Sequence, residues 1–494
     1  MVGLTRRTFL TTASAIPFTV WFERNAEAQT RVRHNARSTQ GIAMLKTYAN
    51  AVKKMQATND GNPLSWVFQW YTHCVKGSSA PSQQAPQKAA AIAAAYPPGT
   101  PAQKAIAMAA WGTCQAHYSG QEDWFLPWHR MYVYFLERIV RKVSGVPSFT
   151  LPYWNYSVTG AAHGVIPPQF RMPNDPVFKF LFVEKRNTTP NVNGGQAIDA
   201  FDPGALSLSS LARCSYSNVG AVTGFCQDLD FGLHGNVHVD TGAAQNMGAV
   251  PWAAGDPIFW MHHCNIDRLW ASWNRAGRAN PSTTSFRDQT FTFADENGAA
   301  VTVANKNFLS IARLGYTYDR FESVRACPPG AAAAAARVSV VPPVPLMSAR
   351  LELSDRPARA ELQPGAGREA TGPKLSERMS ALKADERLHL VLKNLETNAP
   401  AGALYHVYLD LPDTMDPKSG DPYKVGVINF FHAAGHGGHD ATGGLFYSFD
   451  VTDLLGQLKT KGQLRETPQV TIAPLGSPAS EAKPVVGEIS LVQQ

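Results

Sequence analysis

The stretch that decides the fold is DPIFWMHHCNIDRLW, residues 256–270. Asp256 is a helix-capping residue type, and Pro257 is tolerated in a first helical turn, so a helix is expected to begin here. This helix carries two adjacent histidines, His262 and His263. Adjacent side chains on a helix point about 100° apart, so both cannot face one centre equally well. Spacing alone leaves open which of the two binds something.

The length and composition of the whole chain indicate a globular protein of more than one domain. At 494 residues the chain is longer than one ordinary hydrophobic core, so two or three domains are expected. The net charge of +7 is mild, and Lys and Arg are scattered. Without a dense basic run interleaved with aromatic residues, nucleic acid is a poor candidate partner.

The first 28 residues have the features of an export signal. Arg6 and Arg7 precede an apolar stretch, and AEA at 26–28 is a small-x-small cleavage site. The stretch resembles a bacterial twin-arginine signal. A membrane anchor is the alternative, but the apolar run is short and rich in Thr and Ser. We therefore expect a protein exported to the periplasm or the medium, without membrane contact after signal removal.

Residues 29–326 are expected to form one mainly α domain, a bundle of helices joined by long loops. Apolar periodicity and start signals predict helices at 38–56, 101–117, 127–143 and 256–277. Composition then changes, because residues 327–374 have the Pro, Gly, Ala and charge content of a linker, parts of which can lie along a surface.

Residues 375–494 are expected to form a second, smaller domain of strands. Short alternating runs occur at 388–396, 403–411, 423–431, 445–455, 469–475 and 485–492. Their length and spacing predict an antiparallel β-sandwich that follows the mainly α domain.

The sequence contains six cysteines, and in an oxidising compartment some of them should pair. Cys214 and Cys226 flank a loop with Ser and Gly, and they are the pair that we predict. Spacing assigns no partner to the others, which are Cys74, Cys114, Cys264 and Cys327.

The candidate metal ligands are His73, His117, His129, His234, His238 and the pair His262/His263. In HGNVH the first and last residues are four apart, which places the two imidazoles one above the other on a helix face. They can hold one metal ion with a third imidazole from helix 256–277, and the three upstream histidines are candidates for a second triplet.

Such a histidine pair is weak evidence alone, and ordinary surface or core histidines are the alternative. No carboxylate or thiolate motif competes for a metal near these positions. Imidazole-only ligation favours Cu or Zn over Mg or Ca, and it is typical of sites that keep an open position.

Several segments resemble one protein family. DWFLPWHRMYVYFLE (123–137) and DPIFWMHHCNID (256–267) resemble the two copper signatures of the tyrosinase, catechol oxidase and hemocyanin superfamily. LPYWNYS (151–157) and YTY (316–318) resemble segments of plant polyphenol oxidases, and FYSFDVTDLL (446–455) resembles a strand of their C-terminal shielding domain. The resemblance covers most of the mature chain and implies two copper ions as cofactors.

In the family, the second-copper pattern runs Asp-Pro-x-Phe, three more residues, the ligand histidine, and an Asp four residues later. Asp256, Phe259 and Asp267 match it, so the resemblance makes His263 the ligand. His262 is then rotated away from the ion, and a hydrogen-bonding role behind the ligands is expected for it.

The first-copper pattern is matched by Phe125, Trp128, His129, Arg130 and Glu137. The preceding ligand departs from the family, which usually places it four or five residues before the Phe, whereas seven residues separate His117 from that Phe here. His73 completes the set by elimination and position, since His34 is the only other histidine upstream in the mature chain.

The resemblance implies an oxidase that uses O2 to convert o-diphenols to o-quinones, so O2 and small phenols are the expected partners. In the family, an Asn after the first second-copper histidine and a Glu four residues before it are thought to orient a water used as base. Here these positions are Gly235 and Asp230, and Asp is one methylene shorter. We therefore expect stronger diphenolase than monophenolase activity.

Two further positions are compared with the family. The plant gate residue, a Phe thirteen residues before the third ligand, corresponds to Val250, and the smaller side chain should admit bulkier phenols. Some relatives carry a thioether from a Cys to a ligand histidine. For Cys74 and Cys114, a disulfide or two thiols are at least as plausible.

The late segment FFHAAGHGGHD contains His432, His436 and His439, which form either another metal site or a surface or plug loop, and the loop is favoured. In related proenzymes the C-terminal domain sets a side chain over the copper cleft until it is removed. A reversible oxygen carrier of the hemocyanin type, an o-aminophenol oxidase and a zinc-binding secreted protein are the alternatives. The physiological phenol and the oligomeric state stay open.

Overall fold

The structure is a computed structural model that describes residues 30–73, 100–113, 122–327, 346–364, 373–383, 386–433 and 446–494. The predicted helix 101–117 is therefore described only as far as Thr113. Other predicted features lie outside these ranges: the export signal, Cys74, Cys114, His117, His436 and His439.

Helices are the main regular elements of the described chain up to residue 327, and each predicted helix is present as far as it is described. The Ser38 hydroxyl accepts a hydrogen bond from the N–H of Gly41 at 3.0 Å and starts the first helix. The helices are α1 (Thr39–Gln56), α2 (Trp66–Tyr71), α3 (Pro101–Thr113), α4 (Phe125–Ser144), α5 (Phe225–Leu229), α6 (Gly235–Gly242), α7 (Ile258–Arg275) and α8 (Thr284–Asp288). The strands are β1 (Arg31–Arg33), β2 (Thr290–Ala294), β3 (Ala300–Ala304) and β4 (Tyr316–Tyr318).

Helices α4 and α7 form the centre of this domain. The indole rings of Trp128 on α4 and of Trp260 and Trp270 on α7 are buried. Both helices are buried around most of their circumference, polar residues included, so they lie in the interior of the domain. Across the described ranges, no helix has both the length and the apolar character that crossing a membrane requires.

Four polar groups converge on the buried carboxylate of Asp267, on α7. It accepts hydrogen bonds from the guanidinium groups of Arg130, on α4, and of Arg33, at the end of β1. The hydroxyls of Tyr316 and Tyr318 donate to it at 2.6 and 2.5 Å. Because β1 pairs in parallel with β4, this carboxylate joins both central helices to that pair of strands.

A second buried carboxylate, Glu137 on α4, extends the network. It accepts hydrogen bonds at 2.9 Å from Arg33 and from the N–H of Leu151, and it pairs with Arg141. Burial alone would raise the pKa values of Glu137 and Asp267, but the adjacent arginines outweigh it and hold both below their ordinary range. Both carboxylates are ionised, and the core contains a network of paired charges.

The C-terminal region is rich in strands, as predicted. Its elements are β5 (Met347–Glu352), β6 (Ala358–Glu361), β7 (Gln363–Pro364), α9 (Leu375–Ala381), β8 (Leu388–Glu396), β9 (Leu404–Leu409), β10 (Lys424–Ile428), β11 (Phe446–Asp450), α10 (Thr452–Thr460), β12 (Gln469–Leu475) and β13 (Val485–Gln493). They form one sheet in the order β10-β9-β12-β6 and another in the order β11-β8-β13-β5-β7. All these pairings are antiparallel. Side chains from both sheets share one hydrophobic core.

Part of the predicted linker is built into these sheets. Strands β5, β6 and β7 lie between residues 347 and 364, inside the segment 327–374. Leu351 pairs with Val486 of β13, and its side chain joins the core. The linker prediction is wrong for these residues, because a composition of Pro, Ala and charged residues also occurs in short sheet strands with one exposed face.

The predicted disulfide between Cys214 and Cys226 is also wrong. Cys214 is bonded to Cys327, 113 residues away in sequence. Cys226 lies in α5 as a buried thiol beside Tyr216. Backbone hydrogen bonds from Phe225 and Cys226 back to residues 215 and 216 close the intervening loop, so no covalent bond is needed there.

Replacing Asp267 with Asn is expected to lower the free energy of unfolding by about 3–5 kcal/mol, because two buried guanidinium groups lose their carboxylate. Urea unfolding at pH 7, followed by circular dichroism, measures the loss. Asp288→Asn is the matched control, since Asp288 pairs with Lys306 at 2.8 Å and both side chains are about half exposed. That loss should stay below about 1 kcal/mol, and equal losses in both variants would contradict the role of Asp267.

Candidate metal centre

Five of the six predicted ligand histidines are described, and all five meet in the interior. The exposed fraction of each is 2% or less. They come from separate elements: His73 follows α2, His129 is on α4, His234 precedes α6, His238 is on α6 and His263 is on α7.

The imidazole nitrogens form two pairs. The Nε2 atoms of His73 and His129 are 3.4 Å apart, and so are those of His238 and His263. Two nitrogens bound to one tetrahedral ion at about 2.1 Å are separated by about 3.4 Å. Each pair therefore already has the separation that a shared metal ion requires, and the residues fit two ions.

Backbone carbonyls orient three of these rings through the other nitrogen, Nδ1. The contacts join His73 to Val250 at 3.1 Å, His129 to Phe125 at 2.9 Å and His238 to Met247 at 2.7 Å. A carbonyl oxygen only accepts, so Nδ1 carries the proton and Nε2 presents its lone pair to the centre. This is how metal-binding histidines are usually held.

His234 is also oriented by a backbone carbonyl, that of Asp230 one turn earlier, and its Nδ1 lies close to the carboxylate of the same residue. Its Nδ1 lies 2.8 Å from the carboxylate Oδ1 of Asp230 and 3.1 Å from the carbonyl oxygen of that residue. The segment Asp230–His234 is a π-helical turn with a kink at Gly232, which departs from helical backbone angles. Turns of this kind occur often at functional sites. Here the rings of His234 and His238 lie 4.5 Å apart.

Burial keeps the imidazoles of the second pair neutral. It lowers the pKa of His238 and of His263 well below the ordinary value, and the neighbouring imidazoles lower both further. It also lowers the pKa of His262, to about 3. A neutral imidazole is the form that binds a metal ion.

The position of His262 corrects a prediction. We expected it to be rotated away and to make hydrogen bonds behind the ligands. Instead its side chain lies with His234, His238 and His263 in one group of potential ligand atoms, all within 4.8 Å of one another. Neither of its ring nitrogens has a hydrogen-bond partner in the described part of the chain.

Two phenylalanine rings form apolar walls. The Phe125 ring lies 4.6 Å from the ring of His234, and the Phe259 ring lies 4.2 Å from the ring of His263. Both are fully buried. Phe259, singled out from the sequence, therefore does contact the ligand group.

Val250 and Gly235 also lie at the site. Val250 is buried, and its backbone carbonyl holds His73. A Cβ atom added to Gly235 would lie 2.7 Å from the side-chain nitrogen of Asn429, so the absence of a side chain at 235 makes room for that amide.

The C-terminal region reaches into the centre through two residues that sequence reasoning did not place there. The Phe431 ring stacks on that of His238, with centroids 4.3 Å apart. The Nε2 of His432 lies 3.2 Å from the carboxylate of Asp230. The only indication in the sequence was the predicted plug loop. That prediction did not identify which of its side chains lies at the metal centre.

Three family models match consecutive parts of the chain. The common central domain of tyrosinase matches residues 63–276, and the polyphenol oxidase middle domain matches residues 283–326. A domain of unknown function matches residues 346–494. The first two ranges contain every described ligand candidate and the YTY segment.

The fold and the two imidazole pairs define a protein with two metal ions in a helical core. Tyrosinase HcTyr1 from Hahella sp. (strain CCB-MM4) is 30% identical over 480 residues, covering 90% of this chain and 96% of that one. A chloroplastic polyphenol oxidase from Malus domestica is 25% identical over 495 residues, covering 92% of this chain and 76% of that one. The chain belongs to the tyrosinase family of dicopper oxidoreductases.

Solved structures share the fold. Latent apple tyrosinase has a TM-score of 0.61 at 20% identity, over 94% of this chain and 97% of that one. A functional unit of octopus hemocyanin has a TM-score of 0.50 at 15% identity, over 94% and 99%. The shared architecture is a helical core with a separate, sheet-rich C-terminal region.

The depressed pKa of His262 predicts a pH dependence of stability in the metal-free protein. In the unfolded chain this histidine gains a proton near pH 6.5, whereas in the folded chain it stays neutral down to about pH 3. Stability should therefore fall as the pH drops below 6.5, by about 1.4 kcal/mol per pH unit for this group. Urea unfolding at pH 7, 6 and 5 measures the free energy of unfolding of both proteins. It should fall less steeply with decreasing pH in His262→Gln than in the wild-type chain. The same dependence on pH in both proteins would contradict the prediction.

Proposed function

We propose that the chain uses dioxygen to oxidise o-diphenols to o-quinones at two copper ions. The ligands would be His73, His117 and His129 for the first ion, and His234, His238 and His263 for the second. The observation that carries the proposal is the pair of 3.4 Å Nε2 separations, each suited to one ion.

Bound copper supplies the exchange of electrons between phenol and dioxygen. In balance, two catechols give up four electrons and four protons, and one O2 takes them up to yield two o-quinones and two waters. The residues of the chain keep the imidazoles neutral, hold them through backbone acceptors, and exclude water with the rings of Phe125 and Phe259.

The names of the relatives support an enzyme over an oxygen carrier. HcTyr1, which matches nearly the whole chain, is a tyrosinase by name, whereas the hemocyanin unit is similar at 15% identity and so in fold alone. Dioxygen consumption by the copper-loaded protein, with catechol, a monophenol and an o-aminophenol in turn, tests the function. Quinone formation from catechol is expected, and a protein that holds two coppers and oxidises none of the three would overturn it.

Asp230 is proposed to orient the water that deprotonates monophenols, although its carboxylate also holds His234 at 2.8 Å. Asp230→Asn keeps the acceptor for His234 and removes the negative charge. We expect turnover of a monophenol to fall at least about tenfold more than turnover of catechol, since general-base help contributes about 10²–10⁴-fold. An equal loss of turnover for the monophenol and for catechol would contradict the role in deprotonation. The contact with His234 would then be the only role of Asp230 at the site.

Val250 is proposed as the gate that sets the size of accepted phenols. Val250→Phe adds an aromatic ring while keeping the backbone carbonyl that holds His73. We expect kcat/KM for a ring-substituted catechol to fall about tenfold or more, with a smaller change for catechol itself, because steric exclusion acts on the larger substrate. A wild-type enzyme that already rejects substituted catechols would count against an open gate.

We further propose that residues 346–494 form a β-sandwich domain that shields the copper site. The support is the stacking of Phe431 on His238 and the fit of Asn429 over Gly235. The Asn429 amide donates a hydrogen bond at 2.7 Å to the carbonyl of Phe231, which fixes the segment beside the site.

Phe431→Ala in the full chain is expected to raise catechol turnover severalfold, because the ring no longer covers His238. Initial rates at saturating oxygen measure this. Phe430→Ala is the matched control, since the Phe430 ring packs 5.4 Å from that of Tyr405 inside the C-terminal core. Equal activation by both variants would assign the effect to a loosened domain rather than to an uncovered site.

Export by the twin-arginine route stays a proposal that rests on Arg6, Arg7 and the cleavage site at 26–28. Periplasmic or medium fractions of a bacterial host should contain the mature chain. Arg6→Lys with Arg7→Lys should leave it in the cytoplasm, and unchanged export would contradict the route.

A further inference from the structure

We propose that a cavity at the C-terminal end of α4 binds a small organic anion that carries two or more phosphate or carboxylate groups. The cavity has a volume of about 400 Å³, within the range of pockets that hold small molecules. None of its described lining residues is a proposed copper ligand, so the inference goes beyond the proposed function and does not depend on it. We call it the basic cavity, because five cationic residues and one acidic residue line it: Arg31, Arg138, Arg141, Lys142, Arg313 and Glu296.

The cationic side chains of the basic cavity come from three separate segments of the chain. Three of them lie in the last two turns of α4, Arg31 is the first residue of β1, and Arg313 lies three residues before β4. The partial negative charge of a helix C-terminus attracts cations, which accounts for Arg141 and Lys142. It does not account for Arg31 and Arg313, which belong to other segments. The convergence of all three segments indicates a binding site rather than an ordinary helix end.

Two of the guanidinium groups are already held in place by the protein. Arg138 donates from Nε to the carboxylate of Glu296 at 2.8 Å, and its side chain is 11% exposed. Arg141 donates to the buried carboxylate of Glu137 and, at 2.9 Å, to the backbone carbonyl of Phe149. Its side chain is 14% exposed. Because these groups lose little conformational freedom when a ligand binds, their positions favour affinity.

The carboxylates at the basic cavity do not balance its cations. Glu296 pairs with one of the cavity's guanidinium groups and Glu137 with another. Over the ranges that the structure describes, no carboxylate forms an ion pair with Arg31, Lys142 or Arg313. Guanidinium and ammonium groups are the side chains that bind phosphate and carboxylate groups. The cavity therefore offers at least three cations to an anionic ligand.

The excess of positive charge acts inside the basic cavity. Burial and the neighbouring guanidinium groups of Arg31 and Arg138 lower the pKa of Arg141, although the carboxylate of Glu137 opposes this. Like charges that lie close together disfavour the charged form of each. A ligand with several negative groups would turn this repulsion into attraction, and a ligand with a single negative group would do so only in part.

The rest of the lining is partly apolar. It includes the buried side chains of Tyr134 and Leu314, together with Pro147. The guanidinium carbon of Arg138 lies 5.7 Å from the centre of the Tyr134 ring. Inorganic phosphate would fill only part of this volume and has no apolar surface to place against these side chains. An organic anion has both the size and the apolar surface.

Isothermal titration calorimetry of the copper-loaded full chain tests the proposal with two probes. Fructose bisphosphate carries two phosphate groups, and trimesate carries three carboxylates on a benzene ring. We expect at least one of them to bind, and the tighter one shows whether the cavity prefers phosphate or carboxylate. The affinity should fall as sodium chloride is added, because salt screens interactions between charges near the surface.

The double variant Lys142→Gln/Arg313→Gln assigns the binding to the basic cavity. Both side chains are exposed, so the fold should persist. The dissociation constant should rise about tenfold or more, because two direct Coulomb attractions are lost. Lys46→Gln/Arg287→Gln is the matched control, since it removes the same two residue types from exposed positions outside the described lining. Its dissociation constant should equal that of the wild-type chain.

Two results would overturn the proposal. One is that neither probe binds the wild-type chain with a dissociation constant below about 1 mM. The other is that the two double variants bind the probe equally well, since the net charge of the protein or the copper ions would then explain the binding. Catechol oxidation should be unchanged in both double variants, so the fate of the proposed function is measured separately.

Discussion

The geometry of the metal centre depends on the buried carboxylate of Asp267. This group pairs with Arg130, the residue after His129, and lies one turn beyond His263. A single ion pair therefore fixes the two central helices at the point where each presents a ligand. The rings of His129 and His263 stack 4.1 Å apart, within 12° of parallel. The pair is buried and supported by Arg33, so its geometry is specific. It therefore also fixes the positions of the imidazoles on the two helices.

The C-terminal region contributes side chains to the surroundings of the metal centre. Phe431 belongs to the hydrophobic core of the N-terminal domain, although in the chain it follows strands β5 to β10 of the C-terminal region. Gly235 shows how the two are matched: the position after a proposed ligand lacks a side chain, and Asn429 fills the space. The same contacts therefore attach the second domain and limit the exposure of the ligand histidines.

The sequence predicted what local spacing determines. The HGNVH pair, the helix around His263 and the strand runs depend on near neighbours, and they are present, except that the run 445–455 is a strand only as far as Asp450 and is helical from Thr452. Long-range contacts decide the rest. The partner of Cys214 lies 113 residues away, the direction of His262 depends on where His234 and His238 stand, and the entry of Phe431 depends on docking between domains. Strands β5 to β7 have a linker-like composition and are held in place by β13.

The bond between Cys214 and Cys327 has a consequence for any cut that separates the two domains. It closes a covalent ring that contains Asp230, His234, His238, His262 and His263. The ring ends at Cys327, before strand β5. A cut anywhere between residue 327 and β5 would therefore leave the disulfide-closed segment 214–327 intact, with the histidines of the second site inside it. The C-terminal region would then be held only by noncovalent contacts, among them the bonds of Gln494 to residues 219 and 221.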